Sequence, residues 1–256
     1  MTMTVAGEPA LAFVLASIRI VAWLAVVPPF SSRSVPAPAK VVLSLGLALA
    51  VAPAMAQTEV PVDMMGIIVT ALTQALIGLA MGFLTSLLFT AIAAAGSMVD
   101  VFGGFALAQG FDPLSMNNST IFGKFHQMLA TMLLFASGGH LMVIGGLLTT
   151  FRVLPIGSSP DLDGGVVLFT KAFEVFFVTA VQIALPLVAV LFIADLGLAL
   201  MTKVAPALNA MNVMFPAKIG LTLLLVGLSF PVLPDVMDTL VDLSLEAMAT
   251  FAGAGG

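Results

Sequence analysis

The stretch MMGIIVTALTQALIGLAMGFLTSLLFTAIAAAGSMVDV, residues 64 to 101, runs almost without polar interruption and decides the class of fold. It does not alternate polar with apolar residues, and it far exceeds the roughly 9 to 11 residues of a membrane-barrel strand, so it reads as helix. At about 1.5 Å per residue, a straight helix of this length passes 50 Å by a wide margin, against a hydrocarbon core of about 30 Å. Residues 166 to 201 raise the same problem. Both blocks are expected to kink, tilt or leave the bilayer inside an assembly. Gly78 and Gly82 in LIGLAMGF, and Pro186 in IALPLVAV, are the predicted break points.

Composition extends that reading to the whole chain. Of 256 residues 61% are hydrophobic, with only 8 Lys plus Arg and 13 Asp plus Glu, too little polar surface for a soluble globular protein of this length. The fold class is an all-α integral membrane protein with about six hydrophobic blocks. The net charge of −5 leaves no basic patch and argues against nucleic acid as a partner. With no cysteine, disulfides, cysteine-ligated metals and thiol nucleophiles are excluded. The opening MTMTVAGEPALAFVLASIRI has no basic n-region and places Arg19 inside its apolar run, so the N-terminus is expected to be retained.

The blocks fall at about 9–27, 41–55, 64–101, 121–150, 166–201 and 217–232, with an acidic amphipathic helix, PDVMDTLVDLSLEAMATF, following over 234–251. PPFSSRSVPAPAK after the first block and FRVLPIGSSPDLDGG after the fourth read as turns. If each block crosses once, Arg33, Lys40, Lys124, Lys203 and Lys218 share one side. Only Arg152 and Lys171 lie on the other, which places the first set in the cytoplasm and both termini outside. No repeat of 20 to 50 residues and no soluble domain is apparent, so residues 1–256 form a single membrane domain.

Intramembrane charge marks where chemistry is normally found. Arg19 and Asp195 each sit within an apolar block, where a charge costs roughly 2.5–3.5 kcal/mol, so each requires a partner or water. They read either as an ion pair or proton relay, or as a subunit-packing residue and a buried helix contact. Lys171 and Glu174, three apart, read as a local pair. His126 and His140 are roughly four helical turns apart, too far to ligate one metal together. There is no HExxH, no GxSxG and no phosphate-binding loop, so no catalytic site, metal or cofactor is expected.

Two classes of function remain. A secondary transporter uses broken helices around a midplane site. A subunit of a larger membrane pore uses an irregular stretch that lines or closes a passage, because irregular backbone at membrane depth survives only in protein or facing such a cavity. GGFALAQGFDPLSMNNSTIF, residues 103 to 122, fits the second better. It alternates Phe105, Leu107, Phe111, Leu114 and Met116 with small or turn-forming residues and carries almost no charge.

Four segments in register then carry a family resemblance: IRIVAWLAVVPPFSSRSVPAPAK, GGFALAQGFDPLSMNNSTI, GGHLMVIGGLLTTFRVLPIG and ALPLVAVLFIADLGLALMTKVAPALNAMNVMFPAKIG. Together they resemble the FliR family of flagellar type III export-gate subunits and its injectisome relatives over nearly the whole chain. The resemblance implies a non-enzymatic protein of the bacterial inner membrane and flagellar basal body. It implies one copy in a closed hetero-oligomeric helical assembly with FliP and FliQ, completed by FlhB and FlhA, which passes unfolded flagellar proteins. It also implies kinked helical hairpins, a FliP-like portion over about 1–125 and a FliQ-like portion over about 126–256.

The family's pore-closing plug matches 103–122. By resemblance the plug residues are Phe105, Leu107, Gln109, Phe111, Met116, Asn117 and Asn118, with Gly103, Gly104 and Gly110 as hinges. The logic is a seal: apolar side chains exclude water and ions, and weak uncharged contacts let a threading substrate displace the segment. In APALNAMNVMFP, residues 205 to 216, Pro206, Asn209, Phe215 and Pro216 are expected to form a subunit-contact turn.

Overall fold

The computed structural model describes residues 7–32, 35–55, 63–106, 120–158, 162–204 and 210–253, and every regular element among them is helical. The helices are α1 (Gly7–Val26), α2 (Ala37–Met55), α3 (Met64–Gly103), α4 (Ile121–Ala136), α5 (Gly139–Val153), α6 (Leu162–Val204), α7 (Ala210–Ser229) and α8 (Leu233–Phe251). A 3₁₀ turn, Phe230–Val232, links the last two, with Pro231 where the missing N–H costs nothing.

The overlong blocks are unbroken. Helix α3 has 40 residues and α6 has 43, or about 60 and 65 Å of helix at the standard rise. Pro186 lies inside α6 without ending it, and Gly78 and Gly82 do not interrupt α3. The glycines have another use. A Cβ on Gly78 would run into the carbonyl oxygen of Arg19, and one on Gly82 would come within 3.2 Å of the Trp23 carbonyl. They are close-approach residues that bring the backbone of α3 against α1.

The break falls instead in the fourth block, predicted as continuous. There Gly138, at φ 75°, adopts a left-handed conformation that side chains disfavour, separating α4 from α5. Among the described residues four helical stretches are long and apolar enough to cross a membrane: Pro9–Val26, Met64–Gly103, Gly165–Val204 and Pro216–Phe251. The α4–α5 pair makes a fifth if it counts as one broken span, and α2 is shorter, so the expectation of six single crossings is not met. The amphipathic C-terminal helix forms as predicted. Leu240, Val241, Met248 and Phe251 are buried, while Asp235, Asp238, Asp242 and Glu246 are exposed.

The chain forms two compact units. The first comprises residues 1–88, 138–173 and 239–256. Within it α2 lies against α1 and α5, around a core that includes Leu15, Ile20, Trp23, Ile77, Met81, Leu84, Leu147 and Phe151. The second comprises residues 89–137 and 174–238, and so contains the end of α3, α4, most of α6 and α7. Its core cluster is Val99, Phe122, Leu187 and Val226, with Phe105 and Leu225 packed against it.

Candidate functional site

The two ends of the candidate plug segment lie in the second unit and are tied to each other. Helix α4 begins after Thr120, which occupies the capping position in extended conformation but makes no capping hydrogen bond with its side chain. Its Oγ1 instead lies 2.8 Å from Ser97 Oγ on α3. The first turn of any helix carries unsatisfied N–H groups. Here the cap comes from another helix: Asp100 Oδ2 accepts from the amides of Phe122, at 2.7 Å, and Gly123, at 3.1 Å.

Asp100 is fully buried. A carboxylate at a helix N-terminus also meets the positive end of the helix dipole. Hydrogen bonds to a charged group contribute about 1.5–3 kcal/mol each, and a buried orphaned partner costs a comparable amount. The other oxygen, Oδ1, is buried without a protein partner among the described residues.

Glycines permit this close crossing. A Cβ on Gly96 would strike the Phe122 carbonyl, and one on Gly123 would strike Thr120 Oγ1. His126 Nδ1 donates to the Phe122 carbonyl at 2.8 Å, an assignment that follows because a carbonyl oxygen only accepts. Phe105 meets Phe122 edge to face, with ring centroids 4.9 Å apart at 83°, an arrangement that adds about 0.5–1.5 kcal/mol beyond burial.

Of the predicted plug residues, Phe105 is therefore placed against the unit's core cluster. Leu107, Gln109, Phe111, Met116, Asn117 and Asn118, and the hinge Gly110, lie outside the described residues. Gly103 and Gly104 differ in kind. Gly103 ends α3 with no room for a Cβ, which would sit 2.9 Å from the Thr222 side chain. Gly104, at φ 83°, makes the left-handed turn that follows a helix C-terminus.

Arg19 and Asp195 each find partners within their own unit, so the reading of the two as one ion pair is replaced by two local arrangements, although Arg19 Nη1 and Asp195 Oδ1 have no partner among the described residues. Arg19 is fully buried. Its Nε donates to Gln74 Oε1 at 2.7 Å, and its Nη2 donates to the Leu154 carbonyl at 3.0 Å. Its guanidinium lies 4.2 Å from the centre of the Phe151 ring. Leu154 caps the C-terminus of α5, so a cation stands where that helix presents unpaired carbonyls. Arg19 thus joins α1, α3 and α5.

Asp195 on α6 takes the ammonium of Lys218 on α7 at 2.7 Å, in an ion pair that is partly buried. Lys171 pairs with Glu246 at 3.8 Å rather than with Glu174. Both side chains are about two-thirds exposed, and such a pair contributes little. Among the described residues no group of three or more His, Cys, Asp or Glu is placed to hold a metal. Pro206 and Asn209 lie outside the described residues; Phe215 lies in α7, as does Pro216, which is exposed.

Sequence reasoning missed Asp100, Thr120 and Gln74. The rule that singled out Arg19 and Asp195, an ionisable residue inside an apolar block, applies equally to Asp100. Nothing in the sequence points to Gln74 as the acceptor for Arg19.

These features define a polytopic helical membrane protein in which buried polar side chains tie helices together. The chain belongs to the bacterial export proteins, family 1, whose profile matches residues 10–244. It is 32% identical over 186 residues to the flagellar biosynthetic protein FliR of Escherichia coli K12, covering 73% of this chain and 71% of that one. It is 29% identical over 234 residues to FliR of Pectobacterium carotovorum, covering 88% and 90%. The Yop proteins translocation protein T of Yersinia pestis is 28% identical over 149 residues, 57% of each chain. The family decides for a subunit of protein export machinery over the secondary transporter.

Proposed function

We propose that this chain is the FliR-type subunit of a flagellar type III export gate, with the segment 103–122 as the movable seal of its passage. The relatives named FliR support flagellar service. One observation carries the gating reading: the residues on either side of 107–119, a stretch whose single charge is Asp112, are tied together by buried Asp100, which accepts from the amides of Phe122 and Gly123. The glycines, Asp-Pro and Asn of that sequence favour turns, and backbone of that kind at membrane depth needs protein or a water-filled passage around it.

In this reading the protein does no chemistry and holds no cofactor. It sits in the bacterial inner membrane at the flagellar basal body, as one copy among several of FliP and FliQ, beside FlhB and FlhA. Residues 1–125 act as the FliP-like portion and 126–256 as the FliQ-like portion. Phe105, Leu107, Gln109, Phe111, Met116, Asn117 and Asn118 form the seal, and Gly104 and Gly110 give it freedom to retract. Pro206, Asn209, Phe215 and Pro216 form a subunit contact. Exposed apolar residues on α6 and α7, among them Ile193, Leu200, Leu223 and Leu228, support neighbours or lipid along those helices.

Replacing 106–118 with a shorter Gly-Ser linker tests the seal. The variant is expected to assemble with its partners and to leak ions in resting cells. Unchanged membrane conductance refutes the assignment. Co-purification with several copies of two small membrane proteins supports the assembly, and a lone monomer or symmetric dimer refutes it.

A further inference from the structure

We propose that the first unit binds a small monovalent anion of halide size at Arg19, held by Arg19 Nη1 and by the amide nitrogen of Gln74. The inference concerns α1, α3 and α5 alone and stands apart from the reading of the protein as an export-gate subunit.

The crossing of α1 and α3 holds three buried donors that find no acceptor among the described residues: Arg19 Nη1, Gln74 Nε2 and Trp23 Nε1. All three side chains are fully buried. Arg19 and Trp23 stand one turn apart on one face of α1, against Gln74, Gly78 and Gly82, which recur at four-residue steps along α3. Chemistry fixes the orientation of the Gln74 amide. Its oxygen accepts from Arg19 Nε at 2.7 Å, so the atom left over is the nitrogen, a donor; the reverse orientation would set N–H against N–H.

These donors surround a charge that nothing in the unit neutralises. The partners of Arg19, namely the Gln74 oxygen, the Leu154 carbonyl and the Phe151 ring, are all neutral. No carboxylate pairs with Arg19 among the described residues. A buried cation without a counter-ion is costly in apolar surroundings. Water would accept from one of the N–H groups, but it brings no charge and needs acceptors for its own protons, which a set of donors does not offer. An acceptor with negative charge and no proton meets both needs. Full burial of all three side chains favours an ion of one or a few atoms over a lipid headgroup.

The chain has a single Trp, Trp23, and no Tyr, so its near-ultraviolet emission reports on this crossing. The experiment uses the purified full chain in detergent, exchanged into gluconate and titrated with chloride or bromide at constant ionic strength. A roughly hundredfold rise in chloride across the range where the site fills is expected to raise the unfolding midpoint by about 5 °C or more, because an ion that binds only the folded state stabilises it by mass action. Bromide, a heavy-atom quencher, is expected to lower Trp23 emission to a plateau, and chloride to reverse the effect.

Gln74→Glu supplies the missing negative charge from the chain itself. It is expected to fold in gluconate alone, with the chloride shift and the bromide quenching both reduced at least threefold. A midpoint that is the same in chloride and gluconate overturns the proposal, as does a chloride shift that Gln74→Glu retains in full, since that marks a general salt effect. Bromide quenching that stays linear and indifferent to chloride overturns it too, because an ion striking from bulk solvent behaves in that way. The comparison of chloride with gluconate in the parent needs no variant, so it decides even if Gln74→Glu does not fold.

Discussion

Arg19 Nε donates to Gln74 Oε1 at 2.7 Å, joining α1 to α3 across 55 positions of sequence, with both side chains fully buried. A cation held by neutral acceptors depends on all of them. A hydrogen bond to a charged group contributes about 1.5–3 kcal/mol, and losing its acceptor leaves a buried donor unpaired. Gln74→Leu is therefore expected to destabilise by about 2–3 kcal/mol, and not more because the Leu154 carbonyl and the Phe151 ring remain. Arg19→Met combined with Gln74→Leu is expected to cost less than the sum of the singles by about 1–3 kcal/mol. Thermal denaturation of the four proteins in detergent closes the cycle. Additive losses would contradict the coupling.

Gly78 and Gly145 both lie in helix interiors, with opposite surroundings. Gly78→Ala sets a methyl group on the backbone carbonyl of Arg19, which cannot rotate away, so α1 and α3 must separate. Overpacking of this kind costs about 1–3 kcal/mol. Nothing lies within 4 Å of a Cβ at Gly145, so Gly145→Ala is expected to be neutral or to gain up to about 1 kcal/mol from helix propensity. The midpoint of thermal unfolding should fall for Gly78→Ala and stay level or rise for Gly145→Ala.

Two ion pairs of unequal burial make a second contrast. Removing the Lys218 ammonium takes away the partner of a partly buried carboxyl group on an apolar helix, and an unpaired charge within an apolar span costs roughly 2.5–3.5 kcal/mol. Lys218→Met is thus expected to lower the steady-state amount of protein, and adding Asp195→Leu to recover most of it. Lys171→Ala removes a pair that is exposed on both sides and should change stability by less than about 1 kcal/mol. Protease resistance and membrane abundance of the variants, measured together, test both statements.

The edge-to-face contact of Phe105 with Phe122 separates packing from sealing. Phe105→Leu keeps apolar volume and loses the aromatic geometry, at a cost of about 0.5–1.5 kcal/mol. The expected result is a modest fall in thermal stability with normal co-purification of partners. A loss above about 3 kcal/mol would mean that Phe105 is a main support of its unit rather than a peripheral contact of its core cluster.

The broad fold was legible because its signals are local. Apolar runs bounded by Pro, Gly and Ser located α1, α2, α3 and α6 to within a few residues, and periodicity near three and four located α8. The continuous fourth block misled, because a single Gly138 with positive φ divides it and hydropathy does not register a backbone angle. The glycines of α3 misled in the opposite direction. Composition marks Gly78 as permissive, but only the neighbouring helix shows that it serves closeness rather than bending.

The candidate site was legible as a segment and not as a mechanism of attachment. Its low charge and spaced apolar residues drew attention to 103–122, whereas Asp100, just before it, carried no recognisable motif. Whether a lone carboxylate in an apolar helix caps, pairs or stands alone depends on which amide arrives beside it.

The sequence by itself therefore determined a helical membrane protein of the export family, since class and helix length depend on the summed hydrophobicity of consecutive residues. Tertiary structure alone decided the partners: Asp100 with Phe122, Lys218 with Asp195, and Arg19 with Gln74 and Leu154, separated by 22 to 135 positions. Each bond needs donor and acceptor within about 3 Å, so it depends on helix rotation and height to within a fraction of a turn. Hydrophobic burial is nearly indifferent to such small displacements, and a hydropathy pattern does not record them.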